Sequence, residues 1–336
     1  MTEFSLQQVE AARRTIEGTA TATPLIPSPY LSGLAGHDVL LKLEMTQPIG
    51  AFKLRGAANA IFNLPETATG VTCCSTGNHG RGVAFAARAR GLRAVICMSS
   101  LVPRVKVEGI EALGAEVRIV GDSQDEAQAE SLRLVAEEGL VEISPFDDPF
   151  VIAGQGTIGL ELIEQRPDLA TVLVPLSGGG LAGGIAFAMK QANPKVRVIG
   201  ISMDRGPAMY ESIRAGRPVE VEEFPSLADS LGGGIGLQNR LSFPLCRDYL
   251  DAIVLVSEAE IYRGLQTAYY EDRIVCEGAC VVGIAALQAG KLPPLGGATA
   301  MIITGRNLDM KLHADIMQGR DIRLGDMTLE GRPYDA

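Results

Sequence analysis

Short β-rich runs alternating with alanine-rich helical stretches constrain this chain more than any other feature. Runs at 39–43, 71–75, 94–98 and 116–120 are separated by such stretches, and the pattern returns after residue 150 at 171–175, 196–201, 253–256 and 298–304. Parallel strands need a crossover between them and a helix usually supplies it, so the alternation predicts βαβ units and two α/β layers. With 336 residues and 46% hydrophobic side chains, the chain can bury one large core or two linked ones. The polar, proline-containing segment from Ser144 to Pro149 separates the two series and is the candidate boundary. Before the first series, Ser5 and Gln8 have the spacing of a capping box, and Leu6, Val9, Ala12 and Ile16 recur at helical intervals. From about Gln318 the tail is polar and aperiodic, and is expected to be irregular.

Charge and composition exclude several classes of function. A net charge of −10 gives no basis for holding nucleic acid, whose phosphates are bound by clustered Lys and Arg. No stretch approaches the roughly 20 apolar residues that span a bilayer, and residues 1–18 lack the apolar core of a signal peptide. Six cysteines lie scattered without CxxC or zinc-ligand spacing, which predicts buried thiols and a cytoplasmic protein.

Four constellations carry chemistry. In Gly50-Ala51-Phe52-Lys53-Leu54-Arg55-Gly56, a lysine sits at a loop-to-helix junction beside Phe52, where a partly desolvated amine stays neutral enough to condense with a carbonyl. Taken alone, such a lysine is more often a surface residue. The run Ser75-Thr76-Gly77-Asn78-His79-Gly80-Arg81-Gly82 sets hydroxyls, an amide and backbone N–H groups at a helix start, suited to a carboxylate or phosphate. Capping and turn chemistry explain Ser75, Thr76 and Gly77 about as well, and a lone His79 is more often structural. After the fourth apolar run, Thr304-Gly305-Arg306-Asn307 offers a neutral hydroxyl suited to an unprotonated pyridine nitrogen, or is an ordinary strand exit. Glu277 precedes an apolar helix, where an acidic residue is also at home.

The remaining constellation is Ser177-Gly178-Gly179-Gly180-Leu181, running from an apolar strand into a helix. Consecutive glycines let backbone N–H groups close on an anion, with the helix dipole adding attraction. Gly178, Gly180 and Gly183 also satisfy GxGxxG, and Asp204 follows about 20 residues later as a ribose partner would. A nicotinamide-dependent oxidoreductase is therefore the competing reading, although it uses neither Lys53 nor the loop from Ser75 to His79.

Taken in order, GAFKLRG, STGNHGRG, SGGGLAGG and TGRN resemble the signature segments of the fold-type II pyridoxal-phosphate enzymes, the group of threonine dehydratase and serine racemase. The similarity covers about residues 5 to 315. Within the group, VIAGQGTIGLE and SLADSLGGGIGL add a likeness to hydroxyectoine-utilization dehydratases. The resemblance implies an α/β, two-domain, tryptophan synthase β-like fold, with parallel and mixed sheets covered by helices and the cofactor between the domains. Residues 1–66 and 148–336 would form a large cofactor domain and 67–147 a small substrate-side domain. It implies pyridoxal 5'-phosphate on Lys53, flanked by Phe52, with Asn78 at the phenolic oxygen and Ser177, Gly178, Gly179, Gly180 and Leu181 at the phosphate. Thr304 would face the pyridine nitrogen, Glu277 would lie near the ring, and Ser75, Thr76, Gly77 and His79 would line the substrate side.

The implied activity is elimination of water from a β-hydroxy-α-amino acid by a homodimer, with β-replacement or racemisation as alternatives. Departures bear on this. The phosphate loop opens with Ser177 in place of glycine, and the closing motif has Thr304 and Arg306 where the group has Ser and Gly. Thr76 stands where racemases of the group place a catalytic serine, which weighs against racemisation. Ser202 replaces an acidic residue that some relatives give to a divalent cation, so no metal is expected.

Overall fold

A computed structural model describes residues 4–75, 77–100, 102 and 104–335. Its strands are β1 (Leu25–Pro27), β2 (Val39–Lys42), β3 (Gly70–Cys74), β4 (Arg93–Met98), β5 (Glu116–Ile119), β6 (Val141–Glu142), β7 (Thr171–Pro175), β8 (Arg197–Met203), β9 (Ala252–Val256), β10 (Thr299–Ile302), β11 (Ile322–Leu324) and β12 (Met327–Leu329). Two main sheets form, in the orders β1-β2-β10-β7-β8-β9 and β5-β4-β3-β6. Every pairing in them is parallel except that of β1 with β2. Strands β2, β3 and β7 are buried at every residue, as sheets covered by helices on both faces require. The opening helix Leu6–Thr15 begins as expected, with Gln8 Oε1 accepting from the Ser5 N–H at 2.8 Å.

The linear division into an early and a late series is corrected by strand pairing. β2 belongs to the first series in sequence, yet lies between β1 and β10, with Val39 opposite Thr299 and Lys42 opposite Ile302. Burial of β2 against both neighbours outweighs closeness in sequence. The tail is corrected too: β11 and β12 form a hairpin closed by Gly325 and Asp326, with Gly325 at φ +59°. A Gly-Asp pair between short runs is a readable hairpin signal.

The candidate boundary segment from Ser144 to Pro149 is held by its own hydrogen bonds. Asp148 Oδ1 accepts from the N–H groups of Phe150 and Val151 and caps the helix Pro149–Gln165, whose first residue is proline. Asp147 Oδ1 accepts from the N–H groups of Leu241 and Ser242 at the start of the helix Ser242–Tyr249. The segment is thereby tied down on both sides, and it reaches the site described next.

Candidate active site

Three parallel strands deliver site residues at their C-terminal ends, where ligands collect in open α/β sheets. β3 leads to Ser75 and the helix Asn78–Arg90, β7 to the glycine loop and the helix Gly180–Ala192, and β10 to Thr304. Lys53 arrives separately, as the first residue of the helix Lys53–Phe62, at the loop-to-helix junction. All border one cavity of about 710 Å³.

Lys53 is half-buried, and its Nζ donates to Pro145 O at 2.7 Å. Its ammonium lies 5.4 Å from the Phe52 ring centroid. Removal from water lowers the amine to about 8, because the charged form loses most on desolvation. The neighbouring backbone also holds His79, whose Nε2 is 2.7 Å from Ile143 O. Burial first, and the Lys53 charge second, push this imidazole down to about 3. It is therefore neutral, with the proton on Nε2 facing the carbonyl, and Nδ1 is a buried acceptor with no partner among the described residues.

Ser75 Oγ accepts from the N–H groups of Gly77 and Gly80 at 3.4 and 3.2 Å, so its hydroxyl oxygen caps the turn that starts the helix. Gly77 borders the cavity beside it. Thr76, singled out above, lies outside the described residues.

The glycine loop presents backbone donors. The N–H groups of Gly178, Gly179 and Gly180 find no acceptor among the described residues, and Gly179 adopts φ +89°, the left-handed region open to glycine. With the start of a 13-residue helix behind them, these donors form an anion-binding nest, completed by Ser177 and Leu181 on the cavity wall. Phe146 packs on the loop so closely that a Cβ at Gly178 would fall 2.3 Å from its ring. Gly178→Ala should therefore displace Phe146 or the loop and cost about 1–3 kcal/mol. An anion-binding titration and a melting curve read both consequences, and a variant unchanged in both would contradict the packing.

Thr304 also borders the cavity and is buried, with its Oγ1 3.2 Å from Cys280 Sγ. Glu277 is 5% exposed, and burial raises its carboxyl against the pull of the Asn78 hydrogen bond. Asn78 Nδ2 lies 3.0 Å from each Glu277 oxygen. Sequence reasoning named Asn307 only within the Thr304 segment, without a role, and gave no place in the site to Pro145 or Phe146; all three border the cavity through contacts between distant segments. Arg306 is exposed beside Gly50 and does not border the cavity; nor does Asp204, the proposed ribose partner, which is also exposed. Ser202 is buried with its Oγ 3.7 Å from Met203 Sδ. Among the described residues, no group of three or more His, Cys, Asp or Glu side chains is placed to hold a metal ion.

A family model for pyridoxal-phosphate dependent enzymes matches residues 16–305. A threonine dehydratase homologue of Sinorhizobium fredii is 54% identical over 95% of this chain and 97% of its own. The L-threonine ammonia-lyase of Thermotoga maritima is 40% identical over 92% of this chain and 77% of its own. Among solved structures, maize serine racemase superposes with a TM-score of 0.88 at 30% identity, covering 93% of this chain and 96% of its own. For the processed form of threonine deaminase isoform 2 from Solanum lycopersicum the corresponding values are 0.84, 32%, 94% and 94%. A nicotinamide-binding reading of Gly178, Gly180 and Gly183 does not survive a match that runs through the same loop and through Lys53. The chain belongs to the family of pyridoxal-phosphate dependent enzymes, as a threonine-dehydratase-like member with the fold-type II architecture and that cofactor.

Proposed function

We propose that this protein is a lyase that removes water from a β-hydroxy-α-amino acid and releases a keto acid and ammonia. Lys53 is both the covalent anchor of the cofactor and the group that moves the Cα proton. The observation that carries this reading is the Lys53 amine, lowered to about 8 by burial, on the same cavity as an anion nest and a buried hydroxyl. The cofactor's chemical parts fit the residues present. The N–H groups at Gly178, Gly179 and Gly180, with Ser177 and Leu181, suit its phosphate; Lys53 suits the aldehyde carbon; Asn78 suits the phenolic oxygen; Thr304 suits the ring nitrogen. Phe52 and Glu277 flank the ring, Ser75, Thr76 and Gly77 take the substrate carboxylate, and neutral His79 lines that side of the cavity with its one N–H spent on Ile143 O.

Pyridoxal phosphate, when bound, supplies the electron sink that lets a Cα–H bond break. Lys53 Nζ accepts that proton, which an ammonium cannot do, so the lowered value is a functional requirement. The β-hydroxyl leaves with a proton as water, and the released enamine takes up water to give the keto acid and ammonia. Neutral His79 keeps a second cation away from the lysine. The substrates of choice are threonine, serine, 3-hydroxyaspartate and hydroxyectoine-derived amino acids, and the relatives named for threonine support the class. The same reading makes the protein a cytoplasmic homodimer, with 67–147 as the substrate-side domain and 1–66 with 148–336 as the cofactor domain.

Borohydride reduction of the loaded enzyme followed by peptide mapping should fix label at Lys53, and ammonia release across the substrate panel ranks the candidates. In the apoprotein, acylation of Lys53 should rise through about pH 8 and fall below it, as the amine becomes an ammonium. An inflection near the ordinary lysine value, about 10.4, would remove the argument from desolvation. Thioether formation with an added thiol would assign β-replacement in place of elimination.

A further inference from the structure

Asn307 has no part in the reading above, yet its side chain meets several pieces of the site. Its Nδ2 donates to Ile49 O at 2.9 Å and to Asn78 Oδ1 at 2.7 Å, and its backbone N–H donates to Glu277 Oε1 at 2.8 Å. Asn78 presents its Nδ2 to Glu277, 3.0 Å from each carboxylate oxygen. Asn78 stands at the head of the helix after β3, whereas Asn307 follows β10 in the other sheet, so the amides join the two sheets.

A carboxamide flips with little change in shape, so its partners decide which end faces where. Here both ends of the chain are fixed. Ile49 O only accepts, so Asn307 presents nitrogen there, and its second N–H requires an oxygen from Asn78. At the far end Glu277 Oε1 already accepts from the Asn307 backbone N–H, so Asn78 presents nitrogen to it. The two requirements agree. Without Asn307, the half-buried Asn78 oxygen would lose its donor and Glu277 alone would hold the amide.

The geometry also leaves one hydrogen over. The oxygens of a carboxylate are about 2.2 Å apart and subtend about 40° from a nitrogen 3.0 Å from each, whereas the two hydrogens of an amide diverge by about 120°. One N–H serves both oxygens, and the other does not. Asn78 borders the cavity.

We propose that Asn307 is a positioning residue that fixes the polarity of the Asn78 amide, so that one Asn78 N–H is held for an anionic oxygen in the cavity. Its role rests on the cofactor site proposed above, with the phenolic oxygen as acceptor. Asn307→Asp keeps the shape but replaces donors with acceptors facing Ile49 O and Asn78 Oδ1, which favours the flipped amide. Asn307→Ala removes the donors without adding charge.

The measurements are the pyridoxal-phosphate dissociation constant of each apoprotein, the visible absorption maximum of the loaded protein across pH, and apoprotein melting. Asn307→Asp should weaken cofactor binding about tenfold or more, as loss of a hydrogen bond to a charged oxygen does, and displace the visible band. Asn307→Ala should weaken it less and displace the band the same way, while borohydride still labels Lys53 at saturating cofactor in both. Wild-type affinity and band in the folded variants, whatever their melting temperatures, would overturn the role of Asn307. Failure to label Lys53 in the wild type would instead overturn the site reading on which it rests.

Discussion

Lys53→Ala is expected to lower turnover about a thousandfold or more, because on the proposed function it removes anchor and proton acceptor together. Borohydride label should disappear from the peptide that carries residue 53. The fold should not suffer. The Lys53 amine makes one hydrogen bond, to Pro145 O, and its value falls on folding because burial disfavours the ammonium. The sign follows from linkage: at neutral pH the unfolded chain holds this proton more readily than the folded one, so the charged lysine costs stability below about 8. The alanine variant should therefore melt no lower than wild type at pH 7. Turnover close to wild type in that variant would refute both roles given to Lys53, and a lowered melting temperature would show that the amine holds the fold.

Two residues along the same helix, the largest loss of stability is expected. Arg55 is 1% exposed and spends its guanidinium on two carboxylates, with Nε and Nη2 each 2.8 Å from Glu44 and Nη1 2.6 Å from Glu161 Oε1. Nη1 also donates to Thr157 Oγ1 and Nη2 to Thr21 O. Lys42 Nζ completes the cluster, 2.5 Å from Glu161 Oε2. Two cations thus balance two carboxylates in the interior. Arg55→Met would leave both carboxylates with Lys42 alone, and breaking a buried pair from one side typically costs about 3–5 kcal/mol. An unfolding free energy lowered by that amount, read from a reduced urea midpoint at constant slope, would agree with it, and a loss under about 1 kcal/mol would show that the cluster is not needed for the fold. Because Arg55 ties the first turn of the Lys53 helix to the helix Pro149–Gln165, the variant should also loosen the anchor lysine. Comparing the two variants separates chemistry at residue 53 from the support beneath it.

How much of this was legible in the chain differs between residues. The capping box at Ser5 and Gln8 and the strands at 94–98 and 171–175 are local, because periodicity and capping act over a few residues. Lys53, Asn78, the glycine loop and Thr304 were legible as chemistry through their ordered company, and the cavity brings them together. Ser75 was balanced between capping and substrate contact, and its hydroxyl oxygen is engaged by two backbone N–H groups. Arg55 stood inside a motif read for its lysine, with nothing to say that it is buried. The hairpin at Gly325 is local too, carried by a Gly-Asp pair between short runs.

By itself the sequence determined the strand and helix alternation, the turn glycines and which residues are candidates for the site, since each is set by local backbone preference and side-chain chemistry. Only the tertiary structure decided that β2 joins β10, that Phe146 packs on Gly178, that Arg55 meets Glu44 and Glu161, and that Asn307 holds Asn78. These contacts join segments far apart in the chain. They are chosen by complementary burial and hydrogen-bond satisfaction across the whole fold, which no local pattern encodes.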